Sequence, residues 1–187
     1  MKISPNGSWI GDSDLPHVFD AALADAIVAF CKNHGLKTVV DLGCGPGDYL
    51  KVFEEAGLNA IGYDGNIYTY TLTKGLGYYQ ELHVKIEQEY KYDLTLSLEV
   101  GEHMPTDFEQ TFIDNIVSCA KNWIILSWAI PGQKGDGHVN CHTNEYIIQE
   151  MKKRGYIIDW KETNVLRNKS TSPWFKNSLM VFKSILF

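Results

Sequence analysis

The chain has 187 residues, enough for one domain that buries a single core without disulfide or metal staples. Charged residues make up 21% and hydrophobic residues 44%, and the net charge is −6, so no basic stripe offers itself to a nucleic acid or an anionic membrane. No apolar run reaches the roughly 18–20 residues that span a bilayer, and the opening Met1–Gly7 lacks a secretory apolar core. The expectation is a cytoplasmic protein with neither nucleic-acid nor membrane partners. The four cysteines (Cys31, Cys44, Cys119 and Cys141) form no C-x-x-C pair, and three sit in apolar or glycine-rich surroundings that suit reduced packing residues.

The first fifteen residues are rich in turn formers. From Pro16 to about His34, Phe19, Leu23, Ala26, Ile27 and Phe30 recur at helical spacing, and Gly35 is the stop. Lys37 to Leu42 reads as a buried strand, Asp48 to Ala56 as a helix closed by Gly57, and Asn59 to Tyr63 as a second strand. Asn66 to Lys74 is at best a weak helix, since its β-branched and aromatic residues fit a helix poorly. Tyr78 to His83 gives a short strand, Asp93 to Leu98 a further strand, Asp107 to Ala120 a helix, and Trp123 to Trp128 a strongly apolar strand. Thr143 caps a helix that runs to Arg154 before Gly155. Tyr156 to Trp160 and Ser178 to Ile185 are the last two strands, and the polar stretch joining them offers no convincing helix, so they are expected to pair antiparallel. Strands alternating with helices at this spacing predict an α/β fold: a doubly wound, mostly parallel sheet of seven strands, helices on both faces, and an antiparallel last strand.

Asp41-Leu42-Gly43-Cys44-Gly45-Pro46-Gly47 stands where the first buried strand ends and a helix begins. In an open parallel sheet, ligands bind beyond the carboxyl ends of the strands, and glycines there let backbone approach a ligand closely. The loop lacks the lysine of a phosphate-binding G-x-x-x-x-G-K-[ST], and its G-x-G-x-G spacing departs from the dinucleotide pattern G-x-G-x-x-G. The carboxylate of Asp41 suits a cationic ligand end, such as the ammonium and sulfonium of S-adenosylmethionine, better than a pyrophosphate. Asp64, 23 residues on and at the end of the next strand, is placed to accept two ribose hydroxyls. Taken singly, the first loop also reads as a ligand-free βα turn and Asp64-Gly65 as a turn pair.

Together, Val39–Tyr49, Asp64 and Ser97-Leu98-Glu99-Val100-Gly101-Glu102-His103-Met104-Pro105 resemble the successive motifs of the class I S-adenosylmethionine-dependent methyltransferases. The resemblance covers roughly residues 37–130 by motif and the rest by element order. It implies a single Rossmann-like domain over residues 1–187, in which residues 1–35 form an amino-terminal cap segment and helix. It also implies that Asp41 and the loop through Gly43, Cys44 and Gly45 hold the methionine part of S-adenosylmethionine. Asp64 would take the ribose with Gly65 and Asn66 beside it, Glu81 and Leu82 would flank the adenine, and Glu99 would lie under the methionine end. Gln80-Glu81-Leu82-His83 stands where such proteins usually carry an Asp.

Methyl transfer is an in-line displacement that needs an aligned nucleophile and, for a hydroxyl or protonated amine, a group to take its proton. Histidines suit that role. His103 follows Glu99 and Glu102, and serves either as base or as a brace for its loop. His138 lies in the glycine-rich stretch Pro131–His142, which reads as a substrate wall or as a mobile surface loop. His103, His138, His142, Glu99 and Glu102 are metal-ligand types, but no helical H-x-x-x-H pair joins them and no metal is expected. Trp9, His17 and Phe19 are candidates for a lid over the cofactor. The function expected is methyl transfer to an O or N atom of a small-molecule acceptor. A protein or nucleic-acid methyltransferase, a nicotinamide oxidoreductase and a non-catalytic S-adenosylmethionine-binding partner protein are the alternatives.

Overall fold

The computed structural model describes residues 2–13, 17–87 and 89–186. A two-residue hairpin opens the chain, β1 (Lys2–Ile3) against β2 (Trp9–Ile10). Then come α1 (Ala21–His34), β3 (Thr38–Leu42), α2 (Asp48–Glu55), β4 (Asn59–Asp64), α3 (Thr69–Leu72), β5 (Gly77–Tyr79) and β6 (Tyr92–Leu98). Two 3-10 turns lead into α4 (Glu109–Cys119), followed by β7 (Ala120–Ser127), α5 (Asn144–Lys153), β8 (Tyr156–Ile158), α6 (Trp160–Lys169), α7 (Phe175–Ser178) and β9 (Met180–Ser184).

Seven strands form one sheet in the order β5-β4-β3-β6-β7-β9-β8. Every pairing is parallel except those of β9, which runs antiparallel to both β7 and β8. This is the expected Rossmann-like architecture. The central strands are buried on both faces, so consecutive residues serve opposite cores. Val39 and Ile125 pack with Leu23, Ile27, Phe30, Leu50 and Phe53 of α1 and α2 on one face. Val40 and Ile124 pack with Phe112, Ile113, Ile116 and Met151 of α4 and α5 on the other. Truncating one of these buried leucines or isoleucines to alanine costs about 2–5 kcal/mol.

Several element boundaries differ from the sequence reading. The first helix starts at Ala21 rather than Pro16; Pro16 itself lies outside the described residues. Asp20 caps it, with its side chain accepting from the Leu23 amide at 3.0 Å. The strand expected over Tyr78–His83 stops at Tyr79, so Glu81 and Leu82 sit in the following turn.

The larger correction falls between the last two strands, where a polar loop was expected. Residues Trp160–Lys169 are a helix, capped by the Asp159 side chain on the Glu162 amide. Only Thr163 and Leu166 of that helix are buried, which leaves too thin an apolar stripe to announce itself. Ser178 likewise belongs to α7 rather than to the final strand. Cys31, Cys44 and Cys119 are buried and Cys141 partly so, all unpaired. Among the described residues no helix is long and apolar enough to cross a membrane.

Candidate functional site

The sheet order reverses at β3, which sends its chain to β4 on one side while β6 lies on the other. The crevice at the carboxyl ends of β3 and β6 is therefore the place where such a sheet accepts a ligand. A cavity of about 400 Å³ opens there, a size that suits a small organic ligand.

Its floor is the glycine-rich turn. The Gly43 amide donates to the Tyr63 carbonyl at 2.7 Å, which folds the turn back onto β4. Gly43 has φ +87°, and a Cβ there would stand 2.3 Å from a Val100 methyl carbon. Gly45, at φ +52°, lies under the His17 imidazole, 3.0 Å from where its Cβ would be. Neither position admits a side chain without strain.

Two carboxylates face this turn from adjacent strand ends. Asp64 accepts the Gly45 amide at 2.9 Å and the Asn66 amide at 2.8 Å, one on each oxygen. Burial pushes its carboxyl above the ordinary range in spite of those bonds. Asp41 is 3% exposed, and burial followed by the nearby Asp64 charge pushes its carboxyl up to about 8. No described residue donates a hydrogen bond to it; burial and Asp64 alone account for its shift. A buried carboxyl that lines a cavity and lacks a partner is matched by a cationic or hydrogen-bonding ligand.

The other walls come from distant segments. Glu99 directly follows β6 with φ +54°, a left-handed conformation rare outside glycine. Its amide donates to Ser127 Oγ at 2.8 Å, and its carboxylate accepts from Ser178 Oγ at 3.1 Å and from Gln133 Nε2. The loop after β7 is tied down, as a wall requires. The amides of Val139 and Asn140 both donate to the Glu102 carbonyl at 2.9 Å. Trp128 Nε1 donates to the Asn140 carbonyl at 2.6 Å, while Asn140 Nδ2 and His142 Nε2 meet Glu109 at 2.8 and 2.5 Å.

His103 and His138 come together across these loops, ring centroids 5.0 Å apart and nearly perpendicular. His103 Nδ1 lies 3.3 Å from the Gly137 carbonyl, and His138 Nδ1 lies 3.1 Å from the Gln133 carbonyl. A carbonyl only accepts, so in each neutral ring Nδ1 carries the hydrogen and Nε2 keeps the lone pair. Burial and the neighbouring His138 hold His103 down to about 4, so its ring is neutral at pH 7.

Of the residues singled out from sequence, Asp41, Gly43, Cys44, Gly45, Asp64 and Gly65 line the cavity. So do Leu82, Glu99, His103 and His138, together with Trp9, His17 and Phe19 of the amino-terminal segment. Asn66 and Glu81 stand behind that lining. Asn66 Nδ2 donates to the Gly11 carbonyl at 2.8 Å and so pins the amino-terminal segment over the strand ends. Glu81 accepts from Asn6 Nδ2 and from Tyr79 Oη, each at 2.6 Å.

Sequence reasoning missed Trp174 and Phe175, which also line the cavity. The adjacent aromatics Trp174-Phe175, after Ser172-Pro173 in an otherwise polar stretch, were the available signal.

No family model matches the sequence, and no curated protein matches it at a significant level. Solved structures do match across most of the chain. The magnesium protoporphyrin IX methyltransferase of Synechocystis PCC 6803, with bound SAH, aligns at a TM-score of 0.63 and 21% identity, over 86% of this chain and 80% of that one. The sugar N-methyltransferase KedS8 from Streptoalloteichus sp ATCC 53650 aligns at 0.70 and 12% identity, over 88% and 87%. The 1,6-didemethyltoxoflavin-N1-methyltransferase of Burkholderia thailandensis, with bound 1,6-didemethyltoxoflavin and S-adenosylhomocysteine, aligns at 0.58 and 14%, over 88% and 78%. At such identities the likeness is one of fold, and the fold is that of S-adenosylmethionine-dependent methyltransferases.

Proposed function

We propose that this protein binds S-adenosylmethionine in the strand-end cavity and transfers its methyl group to an oxygen or nitrogen of a small molecule. The observation that carries this reading is the pair of carboxyl groups, buried Asp41 and part-buried Asp64, facing one glycine-rich turn from neighbouring strand ends. Asp41 would pair with the ammonium of the methionine part, while the Gly43–Gly45 backbone lets that part lie close. Asp64, already oriented by two backbone amides, keeps lone pairs for the ribose hydroxyls. Leu82 offers an apolar wall for the adenine.

The bound cofactor supplies a methyl carbon activated by an adjacent sulfonium. The chain's part is to align the acceptor, exclude water and receive a proton. His103 and His138 present lone-pair nitrogens on the cavity wall, and these are the groups that take or direct the acceptor's proton. Trp9, His17 and Phe19 line the cavity from the amino-terminal segment, which favours a small acceptor. The names of the matched enzymes agree in kind, referring to magnesium protoporphyrin IX, a sugar and 1,6-didemethyltoxoflavin.

The test is a screen of hydroxyl- and amine-bearing small molecules with methyl-radiolabelled cofactor. At least one class should become labelled by the wild-type protein and not by Asp64→Ala. Labelling confined to protein or nucleic-acid acceptors would contradict the small-molecule reading.

A further inference from the structure

Glu102, His103 and His138 meet where the loop after β6 touches the loop after β7. One ligand atom from each lies within 4.8 Å of the other two, and His138 Nε2 stands 3.9 Å from Glu102 Oε1. The Glu102 side chain is fully buried, and neither of its oxygens makes a well-formed hydrogen bond among the described residues, although the Ala129 amide and the Glu99 carboxyl stand nearby. Its own carbonyl is satisfied twice, by Val139 and Asn140, so the main chain is fixed while the carboxylate is left over. Buried carboxylates are ordinarily paired or bound to a metal.

The two imidazoles are arranged as metal ligands are. A ligating histidine typically donates its other ring N–H to a carbonyl or carboxylate, which fixes the tautomer and aims the lone pair. Both rings do so, through Gly137 and Gln133. For His138 the nitrogen left free is the one that faces Glu102.

We propose that Glu102, His103 and His138 form a divalent-cation site whose remaining coordination positions open into the cavity that both histidines line. Two imidazoles and one carboxylate suit a first-row transition dication such as zinc or cobalt better than magnesium. Bonds of about 2.1 Å require ligand atoms about 3–3.5 Å apart. That is a modest closure for His138, whose loop carries Gly135 and Gly137 just before it. The cation site stands without the methyl-transfer reading; a role for it in that reaction rests on that reading. There, an acceptor hydroxyl taking an open position would release its proton more readily to solvent water, and the histidines would act as ligands rather than as bases. Cation dependence of turnover separates those two roles.

The experiment is titration of chelator-treated protein with Co²⁺, followed by visible absorption, calorimetry and thermal melting. Wild type should bind one equivalent at micromolar concentration, with a rise in Tm. Glu102→Gln and His138→Ala should each weaken Co²⁺ binding at least a hundredfold and abolish the rise in Tm. Glu102→Gln should keep a cooperative melt and unchanged affinity for S-adenosylhomocysteine. Equal Co²⁺ affinity in wild type and either variant, or no saturable binding by wild type up to millimolar Co²⁺, overturns the proposal. Co²⁺ binding without S-adenosylhomocysteine binding would instead overturn the cofactor reading and leave the cation site standing.

Discussion

Replacing Asp41 by asparagine perturbs a carboxyl in the cavity whose ionisation a cationic ligand would have to change. In the free protein, burial and Asp64 push that carboxyl up to about 8. At pH 6 only about 1% of Asp41 is then ionised, and at pH 8 about half. A ligand that requires the carboxylate should bind about fiftyfold more tightly at pH 8 than at pH 6, or about 2.3 kcal/mol. Calorimetry with S-adenosylhomocysteine at pH 6, 7 and 8, in buffers of different ionisation enthalpy, reads both the affinity and the proton released. Asp41→Asn should flatten the pH dependence and remove the proton release. The ligand's own titration is common to both proteins and cancels in the comparison. The same shift acts on the ligand-free fold in the opposite sense. The folded group holds its proton more tightly than the unfolded one, so its contribution is greatest below pH 3.8. It is lost as pH rises toward about 8. Parallel pH profiles for the two proteins, in affinity and in stability, would refute the assignment of Asp41 to the ligand's cation.

Asp20 is a structural counterpart. Its carboxylate accepts from Leu23 and Ser172 amides at 3.0 and 2.9 Å, from the Thr171 amide at 2.8 Å and from Ser170 Oγ at 2.7 Å. These bonds hold it well below the usual carboxylate range despite burial. Asp20→Ala should lose about 3 kcal/mol in denaturant titration, from a lost cap and orphaned buried donors. The wild-type contribution is present above pH 3.8 and fades as acid protonates the group; a loss under 1 kcal/mol would show these bonds to be dispensable. Gly43→Ala forces a left-handed alanine against Val100 and should cost about 2–3 kcal/mol in Tm-derived stability, with S-adenosylhomocysteine affinity down more than tenfold. His138→Ala should lower turnover at least a hundredfold while the cofactor Kd moves less than about threefold; retained turnover would remove His138 from the chemistry.

Much of the cofactor half of the site was legible because its residues sit where strands end. Val39-Val40-Asp41-Leu42 is buried on both faces, so its end could be located from the apolar run, and the glycines that follow are demanded by positive φ. Asp64 follows from the next strand by the same reasoning. Glu102, His103 and His138 were recognisable as metal-ligand types, but their meeting was not legible, because Glu102 and His138 are brought together only by loop hydrogen bonds, with no helical spacing to announce them. The helix Trp160–Lys169 escaped because two buried residues leave almost no periodic signal. Edge strand β5 ended early for a related reason: Tyr78 and Tyr79 are both exposed, so alternation between faces is lost. Trp174 and Phe175 reach the cavity through α7, a four-residue helix too short to show a period.

The most direct measurement is calorimetric titration of the protein with S-adenosylhomocysteine and, separately, with NAD, for wild type and Asp64→Ala. Wild type should bind one equivalent of S-adenosylhomocysteine at micromolar affinity and no NAD, and Asp64→Ala should lose at least a hundredfold. Binding of NAD in preference to S-adenosylhomocysteine, or an unchanged affinity in Asp64→Ala, would contradict the placement of the cofactor between Asp41 and Asp64.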